Sequence, residues 1–166
     1  MAKFTVNSDR FDPYLGFKFK VKWDGKYVAG LNKCGALKKT TEVTPWYEAG
    51  DHSGPHQIPG KTKHDPITLQ AGVTHDTAFE EWANKVNNYQ GEAAMSLKGF
   101  RKDITLDVFN LQGAKVLSYN VFRCWVSEYE ALPELDAGGN AVMITTIKLE
   151  NEGWIRDTSV VEPTET

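Results

Sequence analysis

Apolar and polar residues alternate along much of this chain, with the period of two that predicts half-buried strands. Between Tyr14 and Trp23, the residues Phe17, Phe19, Val21 and Trp23 alternate with Lys18, Lys20 and Lys22. One face of that strand is apolar and the other carries a ladder of ammonium groups. Asp24-Gly25 follows, a pair suited to a hairpin turn with positive φ at both central positions. A second strand is expected from Lys26 to about Leu37, interrupted at Gly30 and Gly35. A short one follows from Thr40 to Trp46, with Pro45 confining it to an edge or an end.

From Gly60 to Val86 the pattern reads strand, turn, helix. Ile67 and Leu69 alternate with Thr68 and Gln70, and Ala71-Gly72 is expected to end the strand. Thr77 and Glu80 have the spacing of a capping box. Phe79, Trp82, Ala83 and Val86 then recur at helical spacing, leaving Glu80, Glu81, Asn84 and Lys85 off the apolar face. This is the one convincing helix, and an amphipathic helix needs a sheet to lie on. Asn87 to Gly99 reads as a polar linker. Strands are expected again over Ile104–Phe109, Lys115–Glu128 and Ala141–Glu150, the last running on towards Trp154-Ile155. The long strand places Leu117, Tyr119, Val121 and Trp125 on one face, interrupted by Arg123. About six to seven strands, hairpin signals and one helix define the fold class: mainly β, an antiparallel sandwich or barrel with a flanking α-helix. Tyr47 to Gly60, rich in Gly, Pro and His, is long for a connection and reads as a protruding loop that binds another chain.

Composition narrows the class. With 166 residues, the chain fits one domain over 1–166, with an N-terminal arm over 1–13 and a flexible acidic tail over 157–166. A net charge of −3 gives no reason to expect nucleic acid. No apolar run approaches membrane-spanning length, so no membrane insertion by this chain is expected. The first residues lack the apolar core of a signal peptide, and synthesis in the cytoplasm is expected. Cys34 and Cys124 read as reduced core thiols.

Motifs with catalytic chemistry fail on inspection. Pro59-Gly60-Lys61-Thr62 ends like a phosphate-binding loop, but Gly54 is misplaced, two prolines remove amide donors and a strand follows instead of a helix. His52, His56, His64 and His75 lack zinc spacing, and no metal or cofactor is expected. Asp51, His52 and Ser53 are adjacent, whereas a triad is assembled from separate places. The chain does not read as an enzyme. Trp46 and Tyr47 flank the long loop and are residue types that anchor interfaces.

Three segments carry a family resemblance: Ile58-Pro59-Gly60-Lys61-Thr62-Lys63, the run from Gly72 to Val86, and the turn over Pro133–Ala137 with Asn140. Together with the alternating strands from Asp12 to Trp154, they resemble the inner tube proteins of contractile injection systems. That group holds contractile phage tail tubes, R-type pyocins and extracellular injection particles. The segment Asp51–Gln57 departs from the family pattern, and Ile58 stands where Leu is expected.

The resemblance implies homohexameric rings stacked into a hollow tube, each subunit lending four strands to one continuous barrel with the helix outside. It implies a surrounding sheath protein, baseplate and cap proteins, and contraction that drives the tube into a target envelope. It also implies room for protein cargo in the lumen. The particle would be cytoplasmic, membrane-anchored or released by lysis. On this reading Trp46, Tyr47, Glu48, Asp51, His52 and His56 belong to a ring-stacking loop. Lys18, Lys20 and Lys22 face the lumen or a neighbouring subunit, and Glu80, Glu81 and Lys85 lie on a sheath-facing helix. Two rivals share parts of the pattern: a baseplate tube-initiator with the same fold, and a monomeric ligand-binding β-barrel.

Overall fold

A computed structural model describes residues 4–10, 12–28, 30–50 and 53–166. Among these residues ten strands and one α-helix follow in chain order. The strands are β1 (Phe19–Trp23), β2 (Lys26–Tyr27), β3 (Leu31–Cys34), β4 (Lys39–Trp46), β5 (His56–His64) and β6 (Ile67–Gly72). The helix α1 (Ala78–Val86) comes next, then β7 (Lys102–Phe109), β8 (Lys115–Glu130), β9 (Ile144–Glu150) and β10 (Gly153–Arg156). All pairings are antiparallel, and β4 with β5 stands apart as a two-stranded hairpin.

The body is organised by β8, whose 16 residues serve two groups of strands. Its first half pairs with β7 on one edge and β10 on the other. Its second half pairs with β9, and β6 and β3 extend that side. The change falls at Arg123, which takes a left-handed φ of 53° and donates its N–H to Asp103 Oδ1 at 2.9 Å. An extra residue in one strand reverses the faces beyond it. Val121 points into the core before the bulge and Cys124 and Val126 after it. The expected single face through Trp125 therefore does not form: Trp125 changes sides.

The core joins both strand groups. Val21, Trp23, Ile104 and Val121 from one meet Ile67, Leu69, Ile147, Leu149 and Val126 from the other. Phe79 and Trp82 of α1 close it, with Trp23 4.9 Å from Trp82 and 5.9 Å from Phe79 between ring centroids. Fully burying each such side chain stabilises by about 1.5–3 kcal/mol. The Trp82 indole N–H donates to the Phe100 carbonyl at 2.7 Å, so its one polar atom is satisfied.

Several local expectations need correction. The first strand starts at Phe19, and Phe17 is exposed. The second breaks in two at Gly30, whose φ of 76° suits a turn. Ala71 and Gly72 still pair, with Thr145 and Ile144, and β6 ends at Gly72. The last long strand starts at Ile144, not Ala141. The helix start uses different partners: Asp76 Oδ1 accepts the Ala78 N–H at 3.0 Å, and the Thr77 hydroxyl bonds Glu81, not Glu80. Thr77 has φ −99° and ψ 8°, and its hydroxyl caps no amide.

Arm and tail meet each other. The Glu162 carboxylate accepts the N–H groups of Thr5, Val6 and Asn7, the Thr5 hydroxyl and the Asn7 amide. Arg10 lies between the rings of Phe4 and Tyr14 and pairs with Glu165. The tail, expected to be flexible, runs along the arm in this structure. Desolvation would raise the Glu162 carboxyl, but the donors from Val6, Thr5 and Asn7 outweigh it and hold it down at about 2.

Candidate assembly surfaces

The hairpin of β4 and β5 is the most exposed element. Every residue of both strands is solvent-exposed except His64, which is half-buried. Pairing runs from Lys39 opposite His64 out to Trp46 opposite His56. A register shift between Thr41 and Val43 makes room for Gly60, where a Cβ would sit 3.2 Å from Thr44 Oγ1. The Tyr47–Gly60 segment expected as a loop is thus partly strand, since His56–Gly60 belongs to β5. What made it look irregular is that neither face is buried, so no apolar alternation was needed. Trp46 and Tyr47 are 55% and 71% exposed at its outer end. The Trp46 indole N–H donates to Glu48 at 3.3 Å. Asp51 and His52 lie outside the described residues. A lone two-stranded hairpin is at best marginal in water.

A second surface is the four-stranded half of the body, in the order β3, β6, β9 and the distal part of β8. Register places Lys33, Gln70, Thr146 and Glu130 in one row, and Thr68, Lys148 and Glu128 in the next. These residues share the face opposite Leu69, Ile147 and Leu149, so that face is polar and the other is core. Among the described residues, β3 has no strand on its far side. Trp125–Glu130 has none on the side away from β9.

The lysine ladder divides. Lys18 precedes β1 and its Nζ donates to the Leu111 carbonyl at 2.9 Å. The ammonium groups of Lys20 and Lys22 lie 5.3 and 5.7 Å from the Tyr27 ring. All three sit in the other strand group, on the face that holds Asp107. Asp107 is buried and accepts from Ser118 at 2.7 Å and Tyr27 at 2.9 Å, with Lys115 Nζ at 3.4 Å. Nothing in the residue pattern marks this network, because one Asp in an alternating strand looks like any solvated position.

On α1, Glu80 and Glu81 are exposed and Lys85 is half-buried. A groove of about 440 Å³ beside the helix start is lined by Val73, Asp76, Phe79, Glu80, Tyr129 and Leu132, among others. Burial pushes the thiol of Cys34 up to about 11 and that of Cys124 up to about 12, and both are free. Such thiols stay protonated and unreactive at neutral pH. Among the described residues no three His, Cys, Asp or Glu side chains are grouped to hold a metal. No described helix is long and apolar enough to cross a membrane.

Among the described residues the body is antiparallel with open edges, an exposed hairpin and one α-helix on a flank, the architecture of a mainly β protein. The chain belongs to the T4-like virus tail tube protein gp19 family, whose model matches residues 15–155. A chain in the sheath–tube complex of the extracellular contractile injection system PVC superposes at a TM-score of 0.65 and 23% identity. The match covers 87% of this chain and 91% of that one. A chain in the structure of the anti-feeding prophage cap, which terminates its tube, gives 0.74 and 22%, over 90% and 93%. A chain of the anti-feeding prophage baseplate gives 0.72 and 16%, over 89% and 97%. At these identities the likeness is one of fold. No curated protein matches the chain in a sequence search.

Proposed function

We propose that copies of this chain close into homohexameric rings through the edges of the four-stranded half, and that the rings stack into a hollow inner tube. The observation that carries this is the open four-stranded sheet with unpaired edges on β3 and distal β8. Unpaired edges invite further strands, and a ring removes every edge. Strand directions agree: β3, β6, β9 and β8 alternate, so β8 of one copy meets β3 of the next antiparallel. The core side of that sheet carries α1, so the polar side with Gln70, Thr146 and Lys148 lines the channel. Cargo passing there meets hydrophilic walls, which suits a folded or hydrated protein.

Stacking falls to the hairpin. Trp46, Tyr47, Glu48 and His56 lie at its outer end, with Val43 and Ile58 exposed below them. Lys18, Lys20 and Lys22 belong to the strand group outside the channel sheet, which favours the neighbour-facing alternative for them. Glu80 and Glu81 on the outer flank are the choice for sheath contact, with a baseplate starting the tube and a cap closing it. Contraction of the sheath then drives the tube into an envelope. The likeness to a baseplate chain supports a second reading, an initiator ring of the same fold. Electron microscopy of the purified chain at high concentration separates them: long tubes support the main tube protein, single rings that never stack support the initiator, and persistent monomers refute both.

A further inference from the structure

The two free edges of the four-stranded half differ in charge. On the channel face, β3 presents one ionisable residue, Lys33, and distal β8 presents Glu128 and Glu130. All three are exposed, and none has an ion-pair partner among the described residues. We propose that Lys33 of one copy faces Glu130, with Glu128 beside it, on the next copy, and that this seam pair makes the edges join head to tail. The inference rests on the ring reading above and adds to it the residues that select the contact.

Geometry leaves little choice of partners. Within one copy the row across the sheet runs Lys33, Gln70, Thr146, Glu130, positive at one end and negative at the other. Continuing the row into a second copy places Lys33 directly after Glu130. A slip of two residues brings Glu128 into its place, and a slip of one would turn the core face of β8 into the channel. Directly opposed unlike charges stabilise a strand pair, and like charges destabilise it.

Sign then decides the symmetry of assembly. Pairing two β3 edges would set Lys33 against Lys33, and pairing two β8 edges would set glutamates against glutamates. Those are the two-fold contacts that would trap the chain as a closed dimer. Only the unlike pairing is attractive, and a repeated unlike contact makes a ring. The other strand group offers no such match, since its edges carry Lys26 on β2 and Arg156 on β10. Discrimination here comes from the disfavoured pairs as much as from the favoured one.

Charge reversal tests the seam on the full-length chain, read by sedimentation and electron microscopy at about 50 mM salt, where screening is weak. Lys33→Glu alone, and Glu128→Lys with Glu130→Lys, should each cut the ring fraction at least tenfold. Combining all three reversals should restore it. As a check that does not depend on reversed charges, Lys33→Cys and Glu130→Cys chains are mixed and oxidised. A disulfide-linked heterodimer is expected, with far less homodimer of either. Rings indifferent to every reversal, or cross-links no more frequent between unlike than like chains, would overturn the seam while leaving the ring standing. Absence of rings in the unaltered chain would overturn the ring reading and the seam with it.

Discussion

Only Asp65 and Pro66 separate β5 from β6, yet the two strands live in different environments. In β6, Ile67, Leu69 and Ala71 are buried and the residues between them are not. Nine residues of β5 bury nothing fully. The first is held by its own chain: β9 and β3 pair on either side, and the core lies beneath. Among the described residues the second has β4 as its one strand partner, and β4 is as exposed as β5. On the proposed reading a sister copy completes β5, whereas β6 is already complete within one chain. Self-sufficient and partner-seeking strands thus sit side by side, and the boundary falls at the base of the hairpin.

Substitutions that act on the self-sufficient part should unfold the free chain. Trp82→Ala removes the largest fully buried side chain and its bond to Phe100. A loss of about 3–5 kcal/mol is expected in denaturant titration. Asp107→Ala leaves Ser118, Tyr27 and Lys115 without their shared acceptor, and about 1–3 kcal/mol should go the same way.

Acid should act locally. The Glu162 carboxyl is held at about 2, below its ordinary 4.5. The deprotonated form is the one that binds the arm, so the contact is fully present above about pH 4.5 and weakens as pH falls towards 2. Chemical shifts of the Thr5, Val6 and Asn7 amides should follow that window while core amides stay put. Smallest of all, Trp46→Ala should change the stability of the free chain by no more than about 0.5 kcal/mol, because its side chain is exposed. Its effect should fall on stacking, read as shorter tubes. A large stability loss from Trp46→Ala would erase the distinction between the two kinds of strand.

The sequence was most legible where burial writes the pattern. Alternation in Phe19–Trp23 and Ile67–Gln70, and helical spacing of Phe79 and Trp82, located a β fold with one helix on its flank. It was least legible where burial is absent or the register slips. His56–Gly60 carries no alternation because both hairpin faces are open. Alternation alone puts Trp125 on the wrong face, because an Arg in left-handed conformation at 123 leaves no mark in the residue pattern. At the helix start the side chain that accepts an amide is Asp76, one residue before Thr77, which the Thr77–Glu80 spacing conceals. Lys33 and Glu130 lie nearly a hundred positions apart, and only the sheet register reveals that they end the same row.

The hairpin and the two free edges are proposed to find their partners on sister copies. Amide hydrogen exchange on the free and the assembled chain tests it most directly. Assembly should slow exchange about a hundredfold or more in Lys39–Trp46 and His56–His64 and along the edges Leu31–Cys34 and Trp125–Glu130. The amides of β6 and β9, already bonded within one chain, should change little. Equal exchange in those edges before and after assembly would contradict the account.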